Sequence, residues 1–190
     1  MSSLKSRALD RGGAALPWYT YPAIEFLSHK EFRDRSVLEF GAGQSTIWWG
    51  ERAKRVVSFE SDKAWHRFLE KQVPGNVSLI LVESQLSAVD SIVGETFDVI
   101  VIDGLERYEC ASKALEFYKA NGVIVLDNSD ALWGREGEYP IIDLFRSNDF
   151  ARIDFYGYSP GVILPACTSL FFKDRCFLLS GNENPSCRVK

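Results

Sequence analysis

Five short runs rich in Val, Ile and Leu recur along this chain: 36–40 (SVLEF), 55–60 (RVVSFE), 77–82 (VSLILV), 97–103 (FDVIVID) and 122–127 (GVIVLD). Their starts are about 20 residues apart, room for one strand and one helix per interval. Near-continuous aliphatic runs of this length suit strands buried on both faces. The intervals read as helices. In 107–120, Tyr108, Ala111, Leu115 and Tyr118 recur at three- or four-residue steps, and Asn121-Gly122 supplies a stop. The stretch 62–72 opens on Asp62, an acidic cap, and carries Trp65, Phe68 and Leu69 on one side. Strands alternating with helices predict βαβ units, a mostly parallel sheet and an α/β fold.

The pattern changes after residue 127. A loop rich in Gly and aromatics, NSDALWGREGEYP, leads into a predicted helix at 140–147. Two more strands are expected near 150–156 and 168–173, joined through GYSPGVILP. There is no internal repeat and no domain linker. Residues 1–35 read as an N-terminal helical segment or lid, 36–180 as one domain, and 181–190 as a loose tail.

A chain of 190 residues, 46% hydrophobic and 25% charged, suits a single domain with one substantial core. A net charge of −4 with no dense Lys/Arg cluster argues against a nucleic-acid partner. The four cysteines, Cys110, Cys167, Cys176 and Cys187, have no metal-knuckle spacing, and a disulfide is neither required nor excluded. The N-terminal stretch lacks an apolar signal region, and runs such as VIVI and VIVL are too short to cross a membrane. The expectation is a cytoplasmic protein with no membrane partner and an open oligomeric state.

The first strand runs into a glycine turn, VLEFGAGQST (37–46). A nucleotide-hydrolysing P-loop would need GxxxxGK, and no Lys follows these glycines. A dinucleotide turn would need GxGxxG; Gly41 and Gly43 match, but Thr46 stands at the third position. A third reading uses more of the residues. Glu39 lies two positions before Gly41, and Glu60 ends the next strand 19 residues after it. The two oxygens of Glu60 could accept both hydroxyls of a ribose. The charge of Glu39 would repel a pyrophosphate but suit an ammonium group.

With ExGxG after the first strand, an acidic end to the second and VIDG ending the fourth, the chain resembles the class I methyltransferases that use S-adenosyl-L-methionine. The resemblance covers roughly residues 36–173. It implies a Rossmann-like three-layer sandwich with a seven-stranded, mostly parallel sheet. Its last strand would be antiparallel and inserted beside the fifth. It also implies that Gly41, Ala42 and Gly43, with Ser45, let the backbone approach the cofactor, and that Glu39 faces the amino group directly or through water. Glu60, with Ser61, would bind the ribose; Glu83 and Ser84 would lie near the adenine; Asp103 and Gly104 would sit beside the transferred methyl group. Ligands of open α/β sheets bind at the carboxyl ends of strands, where these positions fall.

The acceptor is less constrained. VIDG and VLDNSDALWG resemble the strand ends of catechol-type O-methyltransferases, where two Asp and one Asn bind Mg2+ or a similar ion. The matching positions are Asp103, Asp127 and Asn128, oxygen donors suited to a hard cation. Arg107 offers an alternative to the metal, an electrostatic clamp for an anionic substrate. The Pro-Pro-Tyr or Pro-Pro-Phe signature of base N-methylation is missing after strand four. Asp103 and Arg107 are therefore the candidate catalytic residues, for O-methylation of a small-molecule or sugar-type acceptor. Trp18 and Tyr21, three residues apart, could cover the cofactor with aromatic faces that suit a sulfonium. Trp48 and Trp49 read as packing residues, and Tyr156 and Tyr158 as either pocket walls or structure. Two other classes stay open: a non-catalytic methyltransferase-like binding module and a nicotinamide-dependent oxidoreductase.

Overall fold

The computed structural model describes residues 8–86, 89–131 and 139–179. Seven strands form one sheet: β1 (Ser36–Phe40), β2 (Arg55–Glu60), β3 (Val77–Leu81), β4 (Phe97–Ile102), β5 (Tyr118–Leu126), β6 (Ala151–Tyr158) and β7 (Pro165–Phe172). Their order is β3-β2-β1-β4-β5-β7-β6. The first five pair in parallel, and β7 lies between β5 and β6, antiparallel to both. The sheet therefore has the predicted seven-stranded, mostly parallel form with β7 beside β5.

Alternation along each strand divides the core into two layers. Leu38, Phe40, Ile100, Ile102, Ile124 and Leu126 point to one face, under α4 (Arg107–Phe117) and α5 (Pro140–Ser147). Val37, Val56, Val99, Val101, Val123 and Val125 point to the other, under α1 (Tyr21–Ser28) and α2 (Gln44–Gly50). Trp48 and Trp49 are fully buried and meet edge to face at 4.7 Å, which is the packing role read from their position. The N-terminal segment joins this layer: Tyr19 is buried, and its hydroxyl accepts from Trp49 Nε1 at 3.1 Å.

Two helices are shorter than their sequence patterns. The 107–120 pattern stops at Phe117, because Tyr118 already pairs with Phe97 on β4. A register irregularity follows, and the ladder resumes at Val99 and Val123. Sheet pairing thus overrides helical periodicity over Tyr118–Ala120. The 62–72 pattern yields α3 (Lys63–Leu69), with Asp62 as its cap; Asp62 Oδ1 accepts from the amides of Ala64 and Trp65. The predicted helix at 140–147 is present as α5. Most of the 129–139 loop, the tail beyond residue 179 and Cys187 lie outside the described residues. Among the described residues no helix is long and apolar enough to cross a membrane.

Candidate active site

A cavity of about 670 Å³ opens over the carboxyl ends of β1, β2, β4 and β5 and the β6–β7 loop. The glycine turn forms its floor on one side. Gly41 has φ +93°, and a Cβ there would lie 2.5 Å from the Cα of Gly104. Two strand ends are thereby brought into backbone contact that only glycine permits. Ala42 and Gly43 continue the wall, and the Ala42 carbonyl accepts from Trp65 Nε1 at 2.8 Å.

Thr46 explains the broken third glycine. Its hydroxyl accepts from the Gly43 amide at 2.9 Å and donates to Glu39 Oε2, which also accepts from Ser58 Oγ at 2.7 Å. Glu39 is fully buried beneath the turn and is not on the cavity wall. Its second oxygen, Oε1, is buried with no hydrogen-bond partner. Burial pushes its carboxyl up from 4.5 to about 7.

Of the other predicted residues, Ser45, Glu60, Ser61, Asp103, Gly104, Arg107, Asp127 and Asn128 all line the cavity. Glu60 is held by the amide of Asp62, which donates to its Oε1 at 2.7 Å. Glu83 and Ser84 do not reach the wall: Glu83 is exposed, and Ser84 donates to Glu106 Oε2 at 2.8 Å. Because β3 ends at Leu81, the chain reaches the cavity one residue later, at Gln85. Gln85 is buried and packs so tightly on Gly104 that a Cβ there would meet its Nε2 at 2.1 Å. Trp18 lines the cavity and Tyr21 does not. The helix α1 starts only at Tyr21, so the two never share a helical face. Asp62 and Trp65 were legible only as a cap and a packing residue, yet both stand on the wall.

Arg107 dominates the far side. Its Nη2 is 3.0 Å from Asp103 Oδ1, its Nε donates to the Gly104 carbonyl at 3.0 Å, and its Nη1 donates to the Asp127 carbonyl. The carboxylate of Asp127 is held by a threonine: its Oδ1 accepts from Thr168 Oγ1 at 2.6 Å, and Thr168 accepts from the Thr20 amide at 2.9 Å. Burial raises both Asp103 and Asp127 above the ordinary carboxylate range, against the opposing charge of Arg107. These residues do not fit a divalent ion, because a fixed guanidinium already pairs with Asp103 and a threonine holds Asp127. Among the described residues no cluster of three His, Cys, Asp or Glu is placed to hold a metal. Nor does Arg107 stand ready for a substrate anion, since its three nitrogens bond to the protein itself.

Residues 38–129 match the model of a family described as a methyltransferase domain. No curated protein sequence matches the chain. Solved structures are similar in fold. A precorrin-6y C5,15-methyltransferase from Geobacter metallireducens superposes with a TM-score of 0.64 at 15% identity, over 88% of this chain and 97% of that one. An O-methyltransferase from Bacillus cereus, in complex with S-adenosylhomocysteine, gives 0.57 at 19%, over 73% and 74%. A precorrin-8w decarboxylase from Methanobacterium thermoautotrophicum gives 0.57 at 14%, over 79% and 87%. The matched segment holds the glycine turn, both acidic strand ends and the Asp103-Gly104 pair, and the strand order is the one these motifs imply. Over residues 38–129 the chain is thus similar to a methyltransferase domain, and its fold is the Rossmann-like one of these solved structures.

Proposed function

We propose that this chain transfers a methyl group from S-adenosyl-L-methionine to an oxygen of a small-molecule acceptor. The observation that carries the reading is one cavity that joins the glycine turn, the Glu60 carboxylate and the Asp103 carboxylate. The residues fit the cofactor. Gly41, Ala42, Gly43 and Gly104 line the cavity with little or no side chain, so a ligand there would lie against backbone. Glu60 keeps one oxygen beyond its bond to the Asp62 amide and would accept from the ribose hydroxyls. The buried, unpartnered Oε1 of Glu39 supplies an acceptor for the ammonium group, reached through Ser45 or a water. Trp18, on the cavity wall, offers an aromatic face to a sulfonium.

When bound, the cofactor supplies an electrophilic methyl on a positively charged sulfur. The chain must then align an acceptor oxygen in line with it and exclude water, and such positioning supplies much of the rate. Asp103 would take the proton of a hydroxyl acceptor, a role suited to a carboxylate raised toward neutrality. Arg107 would act as a positioning residue. It fixes the Asp103 side chain and the carbonyls of both strand ends, and it places a positive charge beside Asp103.

A nicotinamide reading finds less support, because Thr46 and Glu39 occupy the space a third glycine would open. Calorimetric titration with S-adenosylhomocysteine tests the proposal. Wild type should bind it, NAD should not compete, and Glu60→Ala should lose about 1–3 kcal/mol of affinity, the value of charge-assisted hydrogen bonds. Wild type that fails to bind, or a Glu60→Ala variant that binds as well, counts against it. Turnover of the methyl donor separates an enzyme from a domain that only holds the cofactor.

A further inference from the structure

The mouth of the cavity changes character across the sheet. On the β2 side it presents Glu60 and Asp62; on the side of the β6–β7 loop it presents Val162, with Trp18 and Leu105 also on the wall. Val162 opens the run Val162-Ile163-Leu164, which is 46%, 89% and 69% exposed, and Leu105 is 70% exposed. The run does not hang loose. Ser159-Pro160-Gly161-Val162 is a tight turn with proline second and glycine third; Gly161 has φ +79°, and the Val162 amide donates to the Ser159 carbonyl at 3.1 Å. Pro165 then starts β7. A proline–glycine turn on one side and a strand on the other hold three exposed aliphatic residues, the first of which lines the cavity. Single exposed aliphatics are ordinary, but a contiguous run that continues a cavity wall marks a binding surface.

We infer that the acceptor is an amphipathic molecule: an oxygen nucleophile on an aromatic or alkyl body. The oxygen sits toward Asp103, and the apolar body leaves past Leu105 and Val162 and lies along Ile163 and Leu164. The inference rests on the proposed methyl transfer and narrows its acceptor. Continuity selects this occupant: Val162 belongs both to the cavity wall and to the exposed run, so a molecule seated at Asp103 meets the patch on its way out. A strongly polar sugar would leave the patch in water.

The probe is a series of 4-alkylphenols, ethyl to hexyl, titrated into protein saturated with S-adenosylhomocysteine. Affinity should rise about three- to fourfold per methylene, the value of moving each one out of water. In the double variant Ile163→Ser, Leu164→Ser the gradient should flatten, while melting temperature and S-adenosylhomocysteine affinity stay at wild-type values. A flat series in wild type, or an unchanged gradient in the double variant, overturns the inference. So does a flat series combined with sedimentation of wild type, but not the variant, on phosphatidylcholine–phosphatidylglycerol vesicles; the patch would then be a membrane contact. If S-adenosylhomocysteine itself fails to bind, methyl transfer falls. The same series run without it still reads whether the mouth takes apolar molecules.

Discussion

Glu39→Gln should remove the pH dependence that one buried carboxyl imposes on the fold. Glu39 is fully buried, and burial raises it from 4.5 to about 7; the hydroxyls of Ser45, Thr46 and Ser58 oppose that rise, and the charge of Asp103 adds to it. In the unfolded chain the group ionises near the ordinary value, so the folded state holds its proton over a range in which the unfolded state has lost it. The contribution to stability is therefore full below about pH 4.5 and is lost as pH rises through 7. A rise of this size corresponds to about 3 kcal/mol. Glutamine keeps the shape and an oxygen for Thr46 and Ser58 but does not titrate. Urea unfolding of both proteins should show the variant gaining up to about 3 kcal/mol on wild type between pH 5 and pH 8. The comparison cancels every other titrating group the two share. An ammonium docked near Oε1 would ionise Glu39, so S-adenosylhomocysteine should bind wild type more tightly as pH rises from 5 to 7, with release of a proton, and the Glu39→Gln variant should lack that slope. A stability difference that stays constant with pH would refute the buried, protonated carboxyl.

Three further outcomes follow from the geometry. Gly41→Ala places a methyl at 2.5 Å from the Gly104 backbone and at positive φ, so it should cost more than about 2 kcal/mol of stability and abolish cofactor binding, read by denaturation and calorimetry. Asp98 lies buried at the opposite end of the sheet and accepts from Arg35, Lys119 and the Ser36 amide; burial would raise its carboxyl, but the bonds from Lys119 and Ser36 hold it below the ordinary range. Asp98→Ala should cost about 3 kcal/mol in urea unfolding at neutral pH, and the cost should shrink as acid protonates the wild-type group. Asp103→Asn should leave S-adenosylhomocysteine affinity nearly intact while turnover of an accepted phenol falls about 10²–10⁴-fold. Chelator should leave that turnover unchanged, and a fully active variant would remove Asp103 as the base.

How much of this was legible depended on whether the signal was local. The bounds of β1 and β2 follow from near-continuous apolar runs, and the helix read at 140–147 has the bounds of α5. Asp62 as a cap and Gly41 as a turn are also local facts. The end of α4 was not legible, because Tyr118 is taken into the sheet by Phe97, 21 residues earlier. Gln85 was missed for a related reason: the strand pattern says where β3 stops, not how far the chain runs before it turns over the cavity. Glu39 is the instructive case. Period-two alternation puts it on the same face as Val37, under α2, and the same turn carries Thr46. Its face was readable; its depth depended on how closely α2 settles on β1.

The strand ends around Arg107 show why the cavity needs an internal cation. Two residues there, Glu106 and Asn128, take positive φ without being glycine, at 53° and 50°. Such conformations cost about 1–2 kcal/mol each. Glu106 comes two residues after Gly104 and Asn128 directly after Asp127, and Arg107 binds the carbonyls of Gly104 and Asp127. Glu106 is further held by its own carboxylate, which accepts from Ser84 Oγ and the Gln85 amide. One arginine at the first turn of α4 thus stitches β4 to β5 where the chain would otherwise relax, and it neutralises Asp103 in the same contact. A metal ion could neutralise the acid, but it would accept oxygens from solvent or substrate as readily as from the backbone. A guanidinium with its donors spent on three carbonyls and one carboxylate fixes the strand ends first. On the proposed reading Asp103 would then meet the acceptor, and the walls beyond it would select which acceptor enters.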